Sequence, residues 1–193
     1  RILHILSEAV KQMSEGELLQ IEKARKLNLK EEIYFEIIKN KTASLLASAC
    51  AAGAWSSCED ENKTEKLRQF GEWVGIAFQI KDDLFDYGDA VIGKPTGNDI
   101  KEKKLTLPLI YTLNHVNFST KREIIYIIKN QNRIREKVKF VIQCVKQAGG
   151  IEYGIQKMNE YRDKALKLLH EFPDSEPRKA LEELVRYTTD RKH

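Results

Sequence analysis

Apolar side chains recur at three- and four-residue spacing along this chain, and no stretch shows the strict alternation of a half-buried strand, so the pattern predicts an all-helical protein. The first periodic run carries Ile2, Leu6, Val10, Met13, Leu18 and Ile21, reaches about Lys26 and yields to Asn28 and Leu29. A second helix is expected over 30–54. Its part from 41 onward is dominated by Ala, Ser and Leu, small side chains that let neighbouring backbones approach, which places it in the middle of a bundle. A polar turn over 56–62 separates it from a third helix over 64–87. Beyond a loop reaching residue 104, a short helix over 107–115 is followed by Thr120-x-x-Glu123, the spacing of a capping box that opens the next helix. Further helices are expected over 133–148, 151–171 and 176–191, with Gly149-Gly150 and Pro173 as breaks. The expected architecture is a single domain over 1–193, an antiparallel bundle of long helices.

Composition changes this picture little. The chain has 193 residues, 41% of them hydrophobic, enough for one sizeable core. Its 33 basic and 29 acidic residues leave a formal charge of +4, and the cations are scattered among acids with no basic stripe. Nucleic acid is therefore not an expected partner. No uninterrupted apolar run reaches the length of a transmembrane span. The three cysteines have no metal-binding spacing, and Cys50 and Cys144 fall in apolar helical runs, so a reducing cytoplasm is the expected compartment. The four histidines are dispersed, and no Ser, Cys or His stands in the context of an activated nucleophile.

The chemistry concentrates near the end of the third helix, in Phe78-Gln79-Ile80-Lys81-Asp82-Asp83-Leu84-Phe85-Asp86-Tyr87. On a helix Asp82 and Asp86 share a face, Asp83 lies beside them, and Gln79 sits one turn earlier. Like charges so placed destabilise an isolated helix unless something offsets them. Mg²⁺ does so with one or two carboxylates, several waters and phosphate oxygens; the plainer alternative is a solvated acidic helix end. Phe78, Leu84 and Phe85 interleave with the acids, giving the apolar wall typical of small-molecule sites. The loop that follows holds Gly88, Gly93, Pro95 and Gly97 with Lys94, Lys101, Lys103 and Lys104. It is either a basic connector or a closing segment that brings charge to a phosphate. Asp99 reads equally as an acid orienting those lysines or as a loop cap. Upstream, Lys41-Thr42 opens the least charged stretch, where an ammonium calls for an anionic partner; a surface cation beside a back-bonded hydroxyl is the other reading.

Phe78-Gln79-x-x-Asp82-Asp83-x-x-Asp86, then Gly93-Lys94-x-x-Gly97-x-Asp99, then Lys104 before Thr106-Leu107-Pro108, resembles the second aspartate-rich motif and following loop of the trans-polyprenyl diphosphate synthases. Lys41-Thr42-Ala43 is similar to that family's Lys-Thr pair, and the resemblance covers nearly the whole chain. It implies the isoprenoid (terpenoid) synthase bundle and a prenyltransferase that ionises an allylic prenyl diphosphate, joins it to isopentenyl diphosphate and releases a proton. By the same resemblance, Asp82, Asp83 and Asp86 would hold Mg²⁺, for which Mn²⁺ substitutes, while Lys41, Thr42, Gln79, Lys94 and Lys104 would bind and activate the diphosphate. A homodimer and a long product, such as a quinone side chain, are implied on the same ground.

The family carries two aspartate-rich motifs, and Asp82 to Asp86 is the only Asp-Asp-x-x-Asp here. The other would lie upstream of Arg1, so the domain is expected to be N-terminally incomplete and residues 1–193 alone are not expected to turn over. A class I terpene cyclase shares the fold, but Gln79, Lys94 and Lys104 favour elongation. A non-catalytic partner subunit would keep the fold while losing the acids, which are present here.

Overall fold

A computed structural model describes residues 1–24, 30–88 and 96–191, all in helices and their connections, with no strand among the described residues. The helices are α1 (Ile2–Ala24), α2 (Glu31–Ile38), α3 (Ser44–Cys58), α4 (Glu61–Phe85), α5 (Asn98–Lys101), α6 (Leu107–His115), α7 (Phe118–Asn130), α8 (Arg135–Gln147), α9 (Gly150–Leu169) and α10 (Glu176–Asp190). A π turn, Lys39–Ala43, joins α2 to α3. The all-helical expectation is met.

Several boundaries move, each for a local reason. The helix expected to stop at 54 runs on to Cys58, because Ser56 and Ser57 donate their hydroxyls back to the Gly53 carbonyl, both at 2.9 Å, and so remain helical. Glu59, left-handed at φ 48°, then ends it. α4 starts at Glu61 rather than Thr64, since the Asp60 carboxylate accepts the backbone N–H groups of Asn62 (2.9 Å) and Lys63 (3.1 Å) as an N-cap. The capping box expected at Thr120 is not the start of α7. Asn117 caps it instead, its side chain accepting from Thr120 N at 2.9 Å. Within the loop reaching residue 104, Asn98–Lys101 form a single helical turn.

The helices pack as two compact units, and α4 contributes to both. The first comprises residues 1–20, 35–79 and the C-terminal helices from 157 on. Its core joins Phe70 and Val74 of α4 to Ala165, Leu166 and Leu169 of α9 and Val185 of α10. Glu72 is buried in this unit between two cations, with Lys39 Nζ at 3.0 Å and Arg68 Nη1 at 3.1 Å. A buried carboxylate requires such pairing.

The second unit comprises the described parts of 21–34 and 80–156. α8 packs on α6 and α7, and Ile80, Ile100, Leu107, Ile110, Ile124, Ile128, Val141 and Val145 are almost completely buried there. Gly97 is left-handed at φ 79°, and a Cβ there would strike the Val138 side chain, so the turn into α5 requires glycine.

Candidate functional site

In the second unit the three aspartates have three different surroundings. Asp82 faces outward and is exposed. Asp83 is buried, and the phenol of Tyr34 on α2 donates to its Oδ2 at 2.8 Å. Burial first, and then the charge of Asp83, hold the Tyr34 phenol well above its usual pKa, so it remains a donor. Asp86 lies just past the end of α4, where its N–H and those of Tyr87 and Gly88 bond to carbonyls three residues back. Its carbonyl accepts the Gly97 N–H at 3.0 Å, and its carboxylate takes the backbone N–H groups of Asn98 at 2.7 Å and Asp99 at 3.1 Å. Asp86 thus fastens the far end of the loop.

The last turn tightens at Asp86, and Asp83 turns to Tyr34. Among the described residues no three His, Cys, Asp or Glu side chains gather as a metal cage.

The acids nonetheless concentrate negative charge. The Asp86 carboxyl is pushed up to about 6, by burial first and then by the charge of Asp99, against the pull of the loop N–H groups. Asp99 is also raised, first by burial, with Glu102 and Asp82 adding to it and Lys104 opposing. Lys104 Nζ lies 3.4 Å from Asp99 Oδ1 and 2.6 Å from Glu102 Oε2. Burial works against its charge, but those two acids prevail and its pKa rises. Of the two readings of Asp99, its side chain matches the acid that orients a lysine, and the residue that fastens the loop is Asp86.

This donor set suits a hard cation that keeps most of its water. Mg²⁺ needs only one or two carboxylates, Asp82 is accessible, and each Asp86 oxygen has lone-pair capacity beyond its one N–H. Lys94 lies outside the described residues. Lys101 Nζ bonds Asn98 Oδ1 at 3.2 Å and the exposed Lys103 donates to the Lys129 carbonyl at 3.0 Å, so neither joins the acids.

In the first unit, Lys41 and Thr42 ride on the π turn, a local widening often found at functional positions. Lys41 Nζ is held 2.7 Å from Glu17 Oε2 and 3.0 Å from Gln20 Oε1, both on α1. The anionic partner expected of it is thus a carboxylate of the chain itself, in a groove lined by Met13, Ser14, Glu17, Leu18 and Lys41. Thr42 Oγ1 donates to Gln79 Oε1 at 2.8 Å. Arg191 lays its guanidinium over the Phe78 ring, 4.5 Å from the centroid.

Sequence reasoning did not select Tyr34, Glu17, Gln20 or Arg191. Glu17 and Gln20 stand on the polar side of the first helix, and no spacing along the chain distinguishes Tyr34 or Arg191.

Comparison with known proteins gives a consistent picture. The family model described as polyprenyl synthetase matches residues 1–145. The octaprenyl diphosphate synthase of Escherichia coli is 34% identical over 184 residues, which is 94% of this chain and 56% of that protein. Heptaprenyl diphosphate synthase component 2 of Bacillus subtilis is 30% identical over 190 residues, 97% of this chain and 53% of that protein. The crystal structure of a polyprenyl synthase from Caulobacter crescentus, complexed with calcium and isoprenyl diphosphate, superimposes with a TM-score of 0.91 at 34% identity, covering 100% of this chain and 59% of that one. The chain therefore spans a little over half the length of these relatives and shares their helical fold.

Proposed function

The chain belongs to the polyprenyl synthetase family, and from that premise we propose that it serves a prenyltransferase that joins isopentenyl diphosphate to an allylic prenyl diphosphate, giving a trans-polyprenyl diphosphate. The observation that carries this reading is the geometry at the end of α4, where Asp86 takes the loop N–H groups of Asn98 and Asp99 and Lys104 lies 3.4 Å from Asp99. Asp86 and Asp99 are both pushed toward protonation while Lys104 stands beside Asp99. Asp82 and Asp86 would hold a divalent cation there, which would supply positive charge for a diphosphate, and Lys104 would supply a second countercharge.

In this reading Asp82 and Asp86 hold Mg²⁺, with Asp83 supporting them from its bond to Tyr34. Mg²⁺, when bound, stabilises the negative charge that develops on the departing diphosphate. Lys41 exchanges Glu17, and the Thr42 hydroxyl exchanges the Gln79 amide oxygen, for phosphate oxygens. The family resemblance implies that Lys94 and Lys104 also bind diphosphate. Apolar helix faces enclose the tail and keep water from the reacting carbon.

The test is an incubation of the protein carrying this chain in full with labelled isopentenyl diphosphate, an allylic diphosphate and Mg²⁺. A linear prenyl diphosphate supports the proposal. A cyclic hydrocarbon would make the protein a terpene cyclase, and absence of any product would remove the catalytic reading.

Quaternary state belongs to the same proposal. Leu3, Leu6, Val10 and Leu18 stand exposed along α1, which supports a covered face and a homodimer. The name of the Bacillus relative, a component 2, favours a second reading in which this chain is one subunit of a two-component enzyme. Sedimentation of the protein alone, and activity with and without a co-purified second chain, separate the two. The three free cysteines support the expected cytoplasmic setting. No helix among the described residues is long and apolar enough to cross a membrane.

A further inference from the structure

The π turn that carries Lys41 and Thr42 is seated between two glycines of other helices. Gly16 of α1 lies so close that a Cβ placed on it would stand 2.7 Å from the Lys41 backbone nitrogen and 2.9 Å from Asn40 Cβ. Gly75 of α4 also lies against the turn, where a Cβ would come 2.5 Å from Ala43 Cα and 2.8 Å from its Cβ. These separations are well inside van der Waals contact, and the obstructing atoms are main-chain or Cβ atoms that cannot swing aside. Glycine inside a helix is disfavoured by about 0.5–1 kcal/mol relative to alanine, so neither helix gains from it locally. Gly53 of α3 provides the contrast, since a Cβ there would meet nothing within 4 Å.

Each glycine neighbours a residue that holds one member of the pair. On α1, Glu17 follows Gly16 directly and Gln20 lies one turn on; these grip Lys41 Nζ at 2.7 and 3.0 Å. On α4, Gln79 lies one turn beyond Gly75 and accepts the Thr42 hydroxyl at 2.8 Å. Backbone spacing and side-chain aim are therefore set together, from the same two helix segments.

We propose that Gly16 and Gly75 are positioning residues for the diphosphate-binding pair, fixing the π turn at the distance where Lys41 Nζ and Thr42 Oγ1 are presented together. This rests on the reading of Lys41 and Thr42 as diphosphate ligands. A methyl group at either glycine must move its helix from the turn by on the order of an ångström to restore carbon contact distances. Hydrogen bonds near 3 Å do not persist through such a shift.

The test measures binding of inorganic pyrophosphate in Mg²⁺ by calorimetry to the full protein and to its Gly16→Ala, Gly75→Ala, Lys41→Ala and Gly53→Ala variants, under conditions where circular dichroism shows each to be folded. Gly16→Ala and Gly75→Ala are expected to weaken binding on the order of tenfold or more, as Lys41→Ala does, while Gly53→Ala binds like wild type. Adding Ala43→Gly to Gly75→Ala removes one of the two nearest obstructing atoms, the Ala43 Cβ, and restores part of the loss. This double variant is also read if the single variant does not fold. Binding of Mn²⁺ alone, followed by electron paramagnetic resonance, is expected to stay the same in both glycine variants, which a general loosening of the fold would not leave intact. Wild-type affinity in the folded glycine variants, with Lys41→Ala impaired, would overturn the positioning role and leave the ligand reading standing. Wild-type affinity in Lys41→Ala would overturn both.

Discussion

Asp82, Asp83 and Asp86 are chemically identical side chains that the structure gives three separate tasks. Asp82 is exposed, so Asp82→Ala should leave the thermal midpoint unchanged while turnover of the full protein falls about a hundredfold or more, as when a group acting mainly on developing charge is removed; assay and calorimetry on one preparation decide this. Asp83 is buried and takes its hydrogen bond from Tyr34. Tyr34→Phe keeps the ring and removes this one hydrogen bond to the carboxylate, which should lower the unfolding free energy by about 1–3 kcal/mol, measured by urea titration. A stability unchanged by that substitution would show that the bond is not formed. The aspartates were legible in the sequence as a cluster, because acids at helical spacing are unfavourable unless something offsets them. Their separate roles were not, since Tyr34 lies 49 residues away from Asp83, and only tertiary packing joins them.

Helix boundaries show what local sequence encodes and where it is ambiguous. Asp60 ends up as the cap of α4, and its pKa is held below the usual carboxylate range, chiefly by the Lys63 N–H. A depressed folded-state pKa means the cap's contribution is fully present above the unfolded-state value and is lost as pH falls through the folded one. Asp60→Asn should therefore flatten the acid side of the stability profile while keeping the cap, whereas Asp60→Ala should lower the midpoint at neutral pH as well; thermal melts across the acid range test both. At Gly53, exposed in α3 with open space around it, alanine should stabilise by about 0.5–1 kcal/mol, read as a higher urea midpoint. The turn expected at 56–62 and the capping box at Thr120 both failed because the same polar residues serve two roles. A serine is as able to bond back within a helix as to end one, and Asn117 competed for the cap three residues earlier. The π turn was not read because Lys39 to Thr42 are all polar, so apolar periodicity carries no register through them.

For the molecule as a whole, the expected ligand response is a stabilisation that needs both components. Mn²⁺ with pyrophosphate should raise the thermal midpoint of the protein, and more than Mn²⁺ or pyrophosphate alone, because binding to the folded state adds to its stability by mass action. Equal midpoints in all four conditions would weigh against the metal–diphosphate reading. By itself the sequence determined the helical class, the order of the long helices, the acid cluster and the Lys41–Thr42 pair, together with the family they resemble. Those features are local: apolar periodicity and unfavourable like charges are set by neighbours a few residues apart. Only the tertiary structure decided that Asp83 answers to Tyr34, that Asp86 fastens the loop, that Lys41 rests on Glu17, and that Gly16 and Gly75 close on the π turn. Each of these depends on which distant backbones approach, and that is fixed by packing of the cores rather than by spacing along the chain.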